Sequence, residues 1–87
     1  MLMKKEHHPK KVDIWALGVM LYRLMFDRYP YRGRSERDLL DKIQNYPLTF
    51  PPSTNDNLVQ LMRGMLARDP EKRMTMLDII EHRWLYE

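Results

Sequence analysis

Cysteine is absent from the 87 residues, which rules out a disulfide frame and any thiolate metal site. Glycine is scarce: Gly18, Gly33 and Gly64 stand alone, so no glycine-rich loop is available to cradle a phosphate. Neither a Ser-His-Asp nor a Cys-His arrangement is present, and no metal-ligand spacing is found. His7 and His8 are adjacent, and adjacent histidines rarely face one ligand point, so both read as solvent-exposed. Met1-Leu2-Met3 is followed at once by Lys4 and Lys5, which leaves no apolar core for a secretory signal. Internal repeats and low-complexity segments are also lacking. From these residues alone the chain does not read as a complete enzyme, and no cofactor or metal is expected in it.

What remains is globular in character. The sequence is 44% hydrophobic and 31% charged, as in a folded domain, not a disordered chain. Its length allows one domain at most. The net charge of +3 is spread along the chain, which reads as solvated surface and does not point to nucleic acid. The eight methionines suit an adaptable core. The lack of cysteine fits a reducing compartment, so an intracellular, cytoplasmic location is expected, without a membrane partner.

The dominant stretch is residues 12–26, from Val12 to Phe26. Only Asp13, Gly18 and Arg23 interrupt its apolar coat. At about 100° per residue the apolar side chains point nearly all round a helix. Such a helix is either a buried centre or a membrane span. It would be only ~22 Å long, short of the ~30 Å hydrocarbon core, and it contains two charges. A buried centre is therefore expected. Gly18 in mid-helix costs roughly 1 kcal/mol relative to Ala, which implies that something packs closely against the backbone there.

The other elements follow in order. Residues 1–11 form a basic lead-in broken by Pro9. After a turn over residues 27–34, Ser35 opens a second helix, with Asp38 completing a capping-box-like pair. This helix ends near Asn45 and carries a narrow stripe of Leu39, Leu40 and Ile43. Residues 46–52 contain three prolines and must be extended, with Leu48 and Phe50 tucked onto the core. Ser53 or Thr54 is expected to cap a third helix, in which Leu58, Leu61, Met62, Met65 and Leu66 follow helical spacing. Thr75 and Asp78 form a second capping pair, for a fourth helix with Met76, Ile79 and Ile80 facing in. Trp84 is a closing anchor. The fold class is all-α: a central buried helix wrapped by three shorter amphipathic helices.

The order of these motifs resembles the eukaryotic Ser/Thr protein kinase family. Asp13-Ile14-Trp15-Ala16-Leu17-Gly18-Val19 resembles the D-x-W-x-x-G-V that opens the central helix of the kinase large lobe. Tyr29-Pro30-Tyr31-Arg32-Gly33 looks like the loop after it. Residues 65–75, Met65 to Thr75, resemble M-L-x-x-D-P-x-x-R-x-T, and His82-Arg83-Trp84-Leu85 resembles the closing H-P-W. The resemblance covers residues 12–85 and is nearest in flavour to the calcium/calmodulin-dependent groups. It implies that residues 12–87 are the C-terminal part of a kinase large lobe, and that residues 1–11 are the end of the activation-segment region.

The Gly-rich loop, the strand Lys, H-R-D, D-F-G and A-P-E are not in this sequence. The family places A-P-E roughly a dozen residues before the helix Asp, so on that count the chain reads as the last third of a kinase domain. ATP and magnesium would serve the parent family, with none expected in this chain. The resemblance assigns structural roles to Asp13, Trp15, Gly18, Met20, Leu24, Arg73 and Trp84, and no catalytic ones. Asp13 would hold the catalytic-loop backbone, Met20 and Leu24 would support the hydrophobic spine, and Arg73 would pair with the Glu of A-P-E. Without that Glu, Arg73 is expected to be exposed, or to pair with Glu71, Asp69 or Glu6, for ~0–1 kcal/mol. Arg23 stands where many relatives have Glu, and Arg83 replaces the Pro of H-P-W.

Partners implied are the rest of a kinase lobe, another protein, or a second copy. Leu17, Met20 and Leu24 continue from Asp13 at helical spacing, and the three later helices offer too few anchors to cover this stripe. An alternative reading is a non-catalytic interaction module that binds a kinase, substrate or scaffold through exposed helix faces.

Overall fold

A computed structural model of the chain describes residues 10–86. The basic lead-in over residues 1–9, including Glu6, His7 and His8, lies outside the described residues, as does Glu87. Among the described residues there are four α-helices and no strand. They are α1 (Lys11–Phe26), α2 (Glu36–Asn45), α3 (Asp56–Met65) and α4 (Met76–Ile80). Short 3₁₀ turns follow α3 and α4, at Pro70–Lys72 and Arg83–Tyr86. No helix among the described residues is long and apolar enough to cross a membrane.

α1 is stopped by Asp27, which adopts the left-handed conformation (φ 58°) and donates its N–H to the Arg23 carbonyl at 2.8 Å. Aspartate tolerates that region better than most residues. The Arg23 guanidinium then pairs with the Asp27 carboxylate at 2.6 Å. α2 starts where Ser35 Oγ accepts from the Asp38 N–H at 3.1 Å, while the Asp38 carboxylate accepts from the Arg34 N–H at 2.9 Å. α4 has the full reciprocal box: Thr75 Oγ1 accepts from the Asp78 N–H, and the Asp78 carboxylate accepts from the Thr75 N–H.

α3 is capped one residue later than the sequence suggests. Asn55 Oδ1 accepts from the Asn57 and Leu58 N–H groups. Thr54 is spent elsewhere, because its hydroxyl donates back to the Pro51 carbonyl at 2.6 Å. Ser53 sits in the turn with φ 67°.

α1 and α3 pack together and carry the core. One cluster joins Tyr22 to Leu48, Leu58, Met62 and Leu66, and the other joins Ile14 to Leu61, Met65 and Ile79. Leu21 and Trp84 touch both clusters, so Trp84 is an anchor as expected. Tyr22 also donates its hydroxyl to the Thr49 carbonyl at 2.6 Å. This satisfies the one polar atom of a ring that is otherwise sealed in, and it fixes the extended segment that brings Leu48 and Phe50 onto α1. Gly18 is the point of closest approach: a Cβ there would lie 3.0 Å from Met65 Cβ and 3.0 Å from Leu66 Cδ2.

Only one face of α1 is covered. Ile14, Gly18 and Tyr22 are buried, whereas Leu17, Met20 and Leu24 are 37%, 67% and 79% exposed. The expectation of a helix buried all round holds for that one face. The shortfall lies in the coat, since α2 contributes no fully buried residue and α4 only Ile79. Ile80, expected to face in, is half exposed. α4 is five residues long, and three residues beyond Ile79 it is His82 that turns inward.

Two outcomes follow for stability. Gly18→Val adds branched bulk against the Cβ of Met65, which cannot swing away. It should lower the unfolding free energy by about 2 kcal/mol or more in urea titrations. The Asp78 carboxylate is held below its ordinary pKa of 3.8, first by the Thr75 N–H and then by the Thr75 hydroxyl. Its contribution is therefore complete above that ordinary value and is lost as pH falls through the depressed one. Asp78→Asn should flatten the decline of the urea midpoint between about pH 5 and pH 2.

Candidate functional site

Seven positions were singled out in the sequence, and the fold sorts them into three groups. Gly18 and Trp84 belong to the core. Trp15 and Arg73 come together. Asp13, Met20 and Leu24 lie exposed along α1 with Leu17.

Trp15 and Arg73 meet although they are far apart in sequence. The Arg73 guanidinium lies 5.1 Å from the centroid of the Trp15 ring, and Tyr31 is stacked with that ring at 6.3 Å with a 4° interplanar angle. Arg73 does not take the carboxylate partner expected from Glu71 or Asp69. Instead its Nε donates to the Ala67 carbonyl at 2.9 Å, its Nη1 to the Lys11 carbonyl at 2.8 Å, and its Nη2 to the Arg68 carbonyl at 3.2 Å. A planar fork of five N–H donors suits such a fan of acceptors. Partial burial holds its pKa below the ordinary value, while Asp69 pulls the other way.

The contact is reciprocal, because Lys11 Nζ donates to the Pro70 and Arg73 carbonyls, each at 2.8 Å. Each residue thus binds the other's main chain, and the start of α1 is clasped to the turn after α3. Lys11 escaped the sequence reading because a lysine at the end of a basic lead-in carries no signal of a carbonyl partner. His82 escaped it too. The ring is 8% exposed, its Nδ1 accepts the Trp84 N–H at 3.1 Å, and its Nε2 is buried with no partner among the described residues.

Asp13 accepts the Lys10 N–H through Oδ2 at 2.9 Å, the ordinary work of a first-turn carboxylate. Its side chain is otherwise exposed, at the head of the stripe that runs through Leu17, Met20 and Leu24. A hollow of about 460 Å³ opens over this stripe, lined also by Val19, Leu21, Arg23 and Tyr29. A separate cavity of about 530 Å³ lies between Trp15, Val19, Tyr31, Leu39 and Ile43. Arg23 is the charged residue lining the first and Arg32 the one lining the second. The second is walled mainly by aromatic and aliphatic side chains, and the described residues hold no group of three or more His, Asp or Glu that could hold an ion. No step of phosphoryl transfer is assigned to these residues.

The model of the family described as protein kinase domain matches residues 1–85. The chain belongs to that family. Its ordered motifs are those of the C-terminal part of the kinase large lobe. It is 40% identical over 76 residues to Serine/threonine-protein kinase GRIK1 of Arabidopsis thaliana, covering 87% of this chain and 19% of that protein. It is 33% identical over 87 residues to Calcium-dependent protein kinase 2 of Zea mays, covering 95% of this chain and 17% of that protein. Tribbles homolog 2 of Bos taurus is 35% identical over 75 residues, covering 86% of this chain and 22% of that protein. The chain thus spans roughly a fifth of the length of these curated relatives, and the Ser/Thr kinases among them agree with its being part of a Ser/Thr kinase domain.

The clasp gives a direct test. Arg73→Ala removes three hydrogen bonds from a charged donor and leaves partly buried carbonyls short of a partner. It should cost about 1.5–3 kcal/mol in urea denaturation, well above the ~0–1 kcal/mol of a surface ion pair. Arg73→Lys should recover only a minor part of that loss, because one ammonium cannot span the three carbonyls.

Proposed function

We propose that this chain is a structural piece of a Ser/Thr protein kinase: the helical base on which a catalytic layer rests, without phosphotransfer activity of its own. The activity of the whole kinase would be transfer of the ATP γ-phosphoryl group to a protein hydroxyl with magnesium. The observation that carries the reading is the bare stripe of Leu17, Met20 and Leu24 with Asp13 at its head, on a helix whose other face is closed against α3. In this reading Asp13 holds catalytic-loop backbone, and Met20 and Leu24 bear the apolar spine. The cytoplasm is the proposed location, which a cysteine-free sequence suits.

The partners proposed are the remainder of a kinase lobe, another protein, or a second copy of the chain. Leaving three such side chains wet forfeits roughly 1.5–3 kcal/mol each, against a net stability of about 5–15 kcal/mol for a domain. The stripe is therefore a surface to be covered. Alone in solution, the chain should bind a hydrophobic dye and sediment faster as concentration rises. Replacing Leu17, Met20 and Leu24 together with Gln should reduce association while leaving the far-UV dichroism nearly unchanged. A sharply melting monomer that binds no dye would overturn this account.

The lack of activity is tested separately. Phosphoryl transfer needs phosphate-cradling, metal-binding and base residues, which this sequence does not contain. Isothermal titration with Mg-ATP should give no saturable heat, and micromolar affinity would refute the reading.

A further inference from the structure

Loop 28–34, between α1 and α2, carries three arginines among aromatic residues. Arg32 stands where three hollows meet. On one side it lines the apolar cavity walled by Trp15, Val19, Leu39 and Ile43. On the second it shares a hollow of about 410 Å³ with Arg23, Arg28 and Asp27. On the third it shares one of about 370 Å³ with Arg34, Lys42 and Asp38.

The two carboxylates in these hollows are already engaged. Asp27 pairs with Arg23 at 2.6 Å, and Asp38 lies 3.7 Å from Lys42 while also accepting the Arg34 N–H. The guanidinium groups of Arg28, Arg32 and Arg34 have no carboxylate within 4.0 Å among the described residues. Three uncompensated cations within seven residues contrast with a net charge of only +3 for the whole chain. They stand beside an opening of about 530 Å³ that is lined mostly by apolar groups.

We infer that loop 28–34 and the cavity beside Trp15 form a docking site for an acidic peptide segment of another protein, with one apolar side chain seated in the cavity and flanking carboxylates on Arg28, Arg32 and Arg34. A guanidinium binds a carboxylate through two parallel N–H donors. Rim charges of this kind steer encounter and fix register, and a buried apolar anchor holds the complex. A nucleic acid would satisfy the arginines through its phosphates but would leave the apolar cavity unfilled, so peptide is the better match. The site does not depend on the chain having, or lacking, any part in phosphoryl transfer.

The test uses the 87-residue chain and a fluorescein-labelled peptide carrying Leu-Phe between two Glu-Glu pairs, followed by anisotropy. Binding should saturate and should weaken as salt rises from about 50 to 300 mM. Arg32→Glu should weaken it at least about tenfold, and Arg32→Gln by less. Arg83→Glu, the same charge change on an exposed residue of the C-terminal turn outside these hollows, should leave it within about twofold. Substituting Ser-Ser for Leu-Phe in the peptide should weaken binding as much as Arg32→Glu does. Arg32 is exposed with no side-chain hydrogen bond among those described, so its variants should keep the parent dichroism. The inference is overturned if Arg83→Glu weakens binding as much as Arg32→Glu. It also fails if a peptide with Gln for Glu binds equally well, or if duplex DNA binds more tightly than the peptide through Arg32.

Discussion

Helix α1 lies so close to α3 that its backbone at Gly18 meets the side chains of Met65 and Leu66 directly. A branched residue there would press the helices apart and strain both core clusters at once, because Ile14 and Tyr22 stand one turn to either side of Gly18 and belong to different clusters. The roughly 1 kcal/mol that glycine costs in a helix is offset by what the close approach lets Ile14 and Tyr22 bury. Leu21 and Trp84 then join the clusters from the flanks.

Apolar packing sets the distance between α1 and α3, while polar contacts hold the ends in register. Lys11 sits in the first turn of α1, where the helix dipole disfavours a cation. Its ammonium extends to the Pro70 and Arg73 carbonyls, which supply the opposing partial charge. Arg73 is better placed electrostatically, because the Ala67 and Arg68 carbonyls it binds follow the C-terminal end of α3, where the dipole favours a cation. The reciprocal bonds close a ring through two distant parts of the chain. On the opposite flank the Arg68 side chain donates to the Ile43 and Tyr46 carbonyls and ties the end of α2 to the same turn. Arg68 and Arg73 thus bind main-chain carbonyls in preference to carboxylates, while Arg23 pairs with Asp27.

That preference explains much of what was and was not legible in the sequence. The span of α1, the four core residues of α3 with Leu66 at its end, the close approach at Gly18 and the caps at Ser35 and Thr75 all follow from periodicity and local chemistry. The site of the third cap did not, because Ser53, Thr54 and Asn55 are all competent. Ser53 is taken by the turn and Thr54 by its hydroxyl bond back to Pro51, which leaves Asn55. The inward turn of His82 in place of Ile80 depends on α4 ending after five residues, and boundaries are the weakest part of pattern reading. The carbonyl partners of Arg73 are not legible for a related reason: a sequence displays its carboxylates but not its unsatisfied carbonyls. Among the seven positions singled out, the exposed Asp13, Met20 and Leu24 lie on the same face as their spacing requires. That part of an all-apolar helix would stay bare followed from the shortage of anchors on the later helices, and which part followed from the family resemblance, not from α1 itself.

The two open surfaces of the molecule share an edge. Tyr29 lines the hollow over the stripe, the cavity beside Trp15 and the arginine hollow between them. Its ring is held by the Arg23 guanidinium, 5.2 Å from the centroid, and Arg23 is held in turn by Asp27, the residue whose left-handed backbone ends α1. A group seated over Leu24 would touch the same ring that borders the arginine hollow. The position of Tyr29 therefore links the two surfaces sterically, and the Asp27–Arg23 pair that positions it follows from how α1 stops.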